Sequence, residues 1–208
     1  MAGIVNSLKH INQNVLVAIA IEHTGDDPRK NDIVEICAYV LDNHIKPFTG
    51  LHPFYNQIAP FRSENIDWET ATVTKEKLKD IQTKYGVEPS LAADRFEEWF
   101  DLIDLPLGKK LIPVAYNWPV MREYLVTWLG VKNFASLFHE CEYRDVISVA
   151  TYLNDCRNFV TKVPNFPRPE SFAYICSRFH IEVRGNDDVM IRALKAAECY
   201  KCFMAERV

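Results

Sequence analysis

The first long feature of the chain is a continuous apolar run, Val15-Leu16-Val17-Ala18-Ile19-Ala20-Ile21. It is rich in β-branched residues and lacks polar alternation, which predicts a strand buried on both faces. His23 to Pro28 supply the Gly, Asp and Pro of a loop, and Ile33 to Leu41 predict a second strand. Its antiparallel partner is expected after the Asp42-Asn43 turn or near Phe54 to Ile58. Leu91, Phe96, Trp99, Phe100 and Ile103 recur at helical spacing with acids between them, so an amphipathic helix is expected there. Leu111 to Tyr116 reads as a short strand whose Pro113 argues for an irregular start or an edge. Met121 to Leu129 reads as a helix ended by Gly130, and residues 143–153 as a strand running into a helix. Residues 157–169, with three prolines and no period, read as a loop. Ser171 is expected to cap a helix to about Arg178, and Asp187 and Asp188 to precede a final helix through Met204. Three strands followed by alternating helices and strands point to an α/β fold with a mixed sheet.

Composition narrows the class. The 208 residues are 48% hydrophobic and 25% charged, which excludes a disordered chain or a collagen-like repeat. No linker divides the sequence, so residues 1–13 read as an extension and 14–208 as one domain. The net charge of -4 lacks the basic excess of a non-specific polyanion binder, so any nucleic-acid contact must be local. Of six cysteines only Cys199 and Cys202 have metal-like spacing. With no second pair, a zinc site is not expected, and most of the others read as reduced core side chains. Without an apolar stretch of about 18 residues or a signal-like N-terminus, a soluble cytoplasmic protein with no membrane contact is expected.

The chemistry concentrates in Ala20-Ile21-Glu22-His23-Thr24-Gly25, then Asp27-Pro28, then Asp32-Ile33-Val34-Glu35-Ile36. This resembles the first motif of the DnaQ-like 3′–5′ exonucleases, the DEDD group of the ribonuclease H-like fold. That motif runs Asp-x-Glu-Thr-Thr-Gly and then Asp-x-Ile-x-Glu-Ile. Val114-Ala115-Tyr116-Asn117-Trp118 resembles the second motif, whose Asn follows a strand. Tyr143-Arg144-Asp145-Val146-Ile147 resembles the Asp-Thr-Leu segment, and Ser171 to Ile181 followed by Asn186-Asp187-Asp188 resembles the stretch into the third motif. The resemblance covers roughly residues 14–204. It implies a mixed sheet of about five strands flanked by helices, the first three antiparallel, with a site where the first strand ends near Glu22.

The resemblance also implies four carboxylates holding two divalent cations, Mg²⁺ or Mn²⁺, that activate a water and stabilise the leaving oxygen. The first carboxylate position holds Ala20, whose methyl group ligates nothing. The second is Glu22, on the same strand face as Ala20. The third, four residues after Asn117, is Met121. The fourth is expected at Asp188, with Asp187 the alternative. The catalytic His position, five residues before Asp188, holds Val183, and the Tyr of the alternative subgroup would fall at Arg184. His180 serves as a base only if the loop after it is rearranged. Arg122, beside the missing ligand, is expected to replace the metal charge by pairing with Glu22 or Asp188. His23, Thr24, Tyr116, Asn117 and Trp118 are the expected substrate-binding residues. Arg192, Lys195 and Lys201 read as a solvated face, with tracking of a phosphate backbone as the alternative.

The expected function is that of a degenerate exonuclease, inactive as written, whose pocket binds a nucleic-acid 3′ end, a nucleotide or a protein partner. One alternative is an active metal-dependent exonuclease on DNA or RNA whose first ligand aspartate has been replaced by Ala20, with the other two departures arising from misalignment of the weaker motifs or with Glu123 or Asp187 as substitute ligand. The other is a protein-interaction scaffold. Small stand-alone exonucleases of this kind are common in phages and bacteria, which suggests a phage or bacterial role.

Overall fold

The structure, a computed structural model, describes residues 8–160, 166, 168 and 170–205. A five-stranded mixed sheet has the order β3-β2-β1-β4-β5, with β1 Val15–His23, β2 Ile33–Val40, β3 Phe54–Gln57, β4 Leu111–Ala115 and β5 Arg144–Asp145. β1 pairs antiparallel with β2 and parallel with β4. β3 adds antiparallel to β2, and β5 parallel to β4. The third strand is thus Phe54–Gln57 rather than a partner directly after Asp42. There the chain closes a tight turn in which Asp42 Oδ1 accepts the His44 and Lys46 amides.

Pro113 sits inside β4, between two neighbouring strands, and not at a sheet edge. The Leu111 carbonyl on one side takes the His139 amide at 2.8 Å, and strand alternation puts the Pro113 nitrogen on that same side. β5 pairs only with Val114 and Ala115, so the missing donor of Pro113 falls in the gap before that pairing starts.

Both sheet faces are covered, which is why β1 reads as an unbroken apolar run. Its odd residues Val15, Val17, Ile19 and Ile21 pack with Phe96 and Trp99 of α2 (Pro89–Asp101) and with α3 (Trp118–Leu129) and α4 (Val131–Leu137). Its even residues Leu16, Ala18 and Ala20 face α7 (Val189–Ala205) through Val189, Ala193 and Ala197. Small side chains on both partners let this helix lie close to the sheet. Ile11, ahead of β1, is fully buried in the same cluster.

α1 (Lys75–Asp80) is capped by Thr74 Oγ1, which accepts the Lys77 amide, and continues as a π turn through Tyr85. β5 runs directly into α5 (Val146–Val160). Ser171 caps α6 (Phe172–Ser177), as expected, through the Tyr174 amide. Of the loop expected at residues 157–169, residues 157–160 form the last turn of α5 instead, and 161–165, 167 and 169 lie outside the described residues. Among the described residues no helix is long and apolar enough to cross a membrane.

Candidate functional site

The site forms where β1 runs out between α7 and the start of α3. Alternation puts Ala20 and Glu22 on the α7 face, and Glu22 is only 5% exposed. Antiparallel register sets Glu22 directly opposite Glu35 of β2, a buried acid that accepts from Tyr55 Oη at 2.6 Å and Gln57 Nε2 at 3.3 Å. Two like charges so paired repel, and cations from two helices answer them. Lys77 Nζ of α1 lies 3.4 Å from Glu22 Oε1 and also contacts Glu35 Oε2. Arg192 Nη2 of α7 lies 2.8 Å from Glu22 Oε1 and 3.4 Å from the Ile21 carbonyl. Two buried acids and two cations thus sum to zero charge. Burial pushes the Glu22 carboxyl above its usual range, the repulsion of Glu35 adds to this, and Arg192 and Lys77 oppose it.

This donor set does not fit a pair of divalent cations. Position 20 is a methyl group, and Met121 is a buried apolar wall residue. The α7 side chain that reaches Glu22 is the cation Arg192. Among the described residues no three His, Cys, Asp or Glu side chains converge on a point that could hold an ion. A cation here would have to displace Arg192 and Lys77, and only the carboxylates of Glu22 and Glu35 would then be released.

Several expected roles need correction. Arg122 does not touch Glu22 or Asp188. It pairs with Glu123 at 2.7 Å and lies 5.5 Å over the Phe134 ring, because one helical step turns it about 100° from Met121 onto the solvent side. The metal-replacing charge comes from Arg192 and Lys77 instead, so Arg192 is not part of a solvated face. Asp188 is exposed and caps α7, its Oδ1 accepting the Ile191 amide at 2.8 Å. Asp187 pairs with Lys195 and accepts the Arg184 amide at 2.9 Å. Thr24 is fully buried beneath the following loop, where its Oγ1 accepts the Asp32 amide. Trp118 is 2% exposed and packs against Phe134 and Phe138, so it is a core residue. His180 is exposed, at a positive φ of 59° that ends the α6 segment, and is absent from the cavity walls.

Ala20, His23, Tyr116, Asn117 and Met121 do converge. Together with Phe172 and Arg192 they wall a cavity of about 190 Å³. Asn117 occupies the left-handed region (φ 60°, ψ 50°) just before α3, a conformation that Asn tolerates better than most residues. That turn is anchored by Asp145, whose Oδ1 accepts the Trp118 amide at 3.0 Å. Tyr116 stacks obliquely on Phe172, ring centres 4.8 Å apart, and its hydroxyl donates to the Glu170 carbonyl. His23 stacks on Tyr124 at 4.8 Å, whose hydroxyl donates to the Gly25 carbonyl. Burial holds the His23 ring below its ordinary pKa, the Gly25 carbonyl opposing this, with Arg192 lowering it further.

Three buried side-chain polar atoms among the described residues lack a partner, and all belong to this site: Glu22 Oε2, His23 Nδ1 and Arg192 Nε. An Arg–carboxylate pair can close with two parallel bonds. Here it makes one, leaving a donor and an acceptor unused.

Sequence reasoning missed Lys77, for which the chain carries no signal. Arg192 did have one. It lies five residues after Asp187, the same interval the resemblance places between the catalytic His and the last acid.

No protein-family model and no curated protein matches the sequence. Solved structures do. The zinc-bound complex of E. coli exonuclease I with single-stranded DNA superposes with a TM-score of 0.67 at 14% identity, over 91% of this chain and 40% of that one. The nuclease domain of 3′hExo, a DEDDh family member bound to rAMP, gives 0.59 at 13% identity, over 92% of each chain. Cell-death related nuclease 4 gives 0.61 at 10% identity, over 92% and 64%. The chain spans about 40% of the length of the exonuclease I structures. Its fold is that of the DnaQ-like exonucleases, the α/β ribonuclease H-like architecture expected from the first motif.

Proposed function

We propose that this protein binds the 3′ end of a nucleic acid without hydrolysing it, keeping the pocket of an exonuclease and not its metal chemistry. One observation carries the reading. Of the three further carboxylates expected with Glu22, two positions hold Ala20 and Met121, the third, Asp188, is an exposed helix cap, and the guanidinium of Arg192 holds Glu22 instead. Phosphodiester hydrolysis on this fold needs an activated water and a stabilised leaving oxygen. A neutral cluster of two acids and two cations supplies neither.

A nucleic-acid ligand is favoured because the neighbours were captured with single-stranded DNA and with rAMP. The cavity also remains open at the strand end, where Met121 walls it without filling it. That openness counts against a pure scaffold. A single lost aspartate at Ala20 is also a poor account, since restoring it would place a carboxylate beside Met121 and Arg192 with no cation pair to hold.

The test is fluorescence anisotropy with short single strands of DNA and RNA in EDTA. A free 3′ hydroxyl end should bind about tenfold or more tightly than a strand whose 3′ end is blocked by a bulky group, and adding Mg²⁺ or Mn²⁺ should change nothing. Binding that requires metal, or that ignores the 3′ block, would overturn the reading.

A further inference from the structure

The wall of the cavity decides what charge it accepts. Ile19, Ala20, Met121 and Phe172 give it aliphatic and aromatic surface. Among the described residues Arg192 is its one fully charged wall residue, because burial holds the His23 ring below its ordinary pKa and so neutral at pH 7. That guanidinium is already answered. Its Nη2 holds Glu22 Oε1 at 2.8 Å, and Glu22 and Glu35 together balance Arg192 and Lys77. No net positive charge is left for a phosphate. One entering here would give up its water against apolar side chains without compensation, which is costly. An uncharged ring loses far less water and gains apolar contact.

The remaining polar wall groups are neutral as well. Asn117 makes no cap bond with its side chain, and Thr72 accepts the His23 amide at 2.9 Å. Neutral donors and acceptors of this kind suit the carbonyl, amino and hydroxyl groups of a nucleoside. The volume of about 190 Å³ equals roughly six waters at about 30 Å³ each and lies below the range of about 300–1,000 Å³ of drug-sized sites. It suits one ring system and not a stretch of strand. We propose that this cavity binds uncharged nucleosides, holding the ring with no contact to phosphate, so that a free nucleoside is a ligand in its own right. The inference rests on the 3′-end reading above and names the part of the end that is recognised. In a strand, the phosphate preceding that nucleoside stays in solvent.

The experiment is isothermal titration in EDTA with adenosine and uridine, their 5′-monophosphates, and inorganic phosphate. Each nucleoside and its monophosphate should bind within about threefold of one another, and phosphate alone should give no binding. Raising the salt from about 50 to about 200 mM should weaken the nucleosides less than about twofold, far below the loss of a site built on phosphate contacts. Val120→Trp, at a cavity-wall residue that is 39% exposed, should weaken both members of each pair. Glu22→Gln leaves Arg192 and Lys77 facing one acid, and the monophosphate should then bind about tenfold more tightly than its nucleoside. A tenfold monophosphate preference in the parent would overturn the inference. So would a nucleoside affinity that Val120→Trp leaves untouched, or a Glu22→Gln variant that gains no such preference. Oligonucleotide ends that bind while free nucleosides do not would overturn it and leave end binding standing. Nucleosides that bind while no oligonucleotide does would uphold it and end the 3′-end reading.

Discussion

Arg192→Ala is expected to lower stability by about 3 kcal/mol at neutral pH, and the melting temperature by roughly 6–12 °C at about 2–4 °C per kcal/mol for a chain of this size. The reason lies in what is left behind. Glu22 is 5% exposed and its carboxyl already titrates above the usual range through burial. Without the guanidinium, its remaining cation is Lys77 at 3.4 Å. Breaking a buried pair by removing one partner costs about 3–5 kcal/mol, and the low end applies because the Arg192 side chain is 27% exposed. Adding Glu22→Gln to Arg192→Ala removes the stranded charge and should recover more than half of the loss. Urea unfolding of the parent, the single variants and the double variant measures this directly. Additive losses would show that the pair does not act as a unit.

Lys77→Met carries the second large effect, with a pH signature. The substitution leaves Glu22 and Glu35 facing each other across the β1–β2 ladder without the ammonium between them. A loss of about 2–3 kcal/mol at pH 7.5 is expected, discounted for a side chain 27% exposed. The Glu22 carboxyl lies above its ordinary 4.5 in the folded protein, and losing Lys77 raises it further. A group whose folded pKa is raised contributes stability below its unfolded pKa and loses that contribution as pH rises through the folded value. The deficit of Lys77→Met should therefore be largest at pH 7–8 and shrink as the pH falls toward 4.5. A deficit independent of pH would mean that Lys77 acts by packing its stem and not by charge.

The fold was legible in the sequence wherever pattern and motif coincided. The apolar run of β1, the antiparallel second strand and the helix ends at Gly130, Ser171 and Asp188 all follow from burial period and cap chemistry. Pro113 marks an irregular start and not an edge, because β4 is flanked on both sides but β5 leaves that one position unpaired. At the site, spacing along β1 and after Asn117 singled out Ala20 and Met121, which line the cavity, and Glu22, which pairs with Arg192 of the cavity wall. The charge partner was not so marked. Arg122 is next to Met121 in sequence, but adjacent helical residues face different ways, and the cation that fills the site comes from a helix 170 residues beyond Glu22. Lys77 lies in a segment without motif or period, and only tertiary packing brings it to Glu35. Thr24 and Trp118 show the reverse error. Both belong to motif segments, yet one is a loop strut and the other a core aromatic.

The most direct measurement is single-turnover digestion of end-labelled single-stranded DNA and RNA with Mn²⁺, comparing the parent with Ala20→Asp. The account predicts that both leave the strands at full length, because Met121 still walls the cavity and Arg192 still holds Glu22, so one added carboxylate does not complete a site for two cations. Metal-dependent shortening from the 3′ end by either protein would contradict it, and would make this chain a working exonuclease whose ligands lie elsewhere.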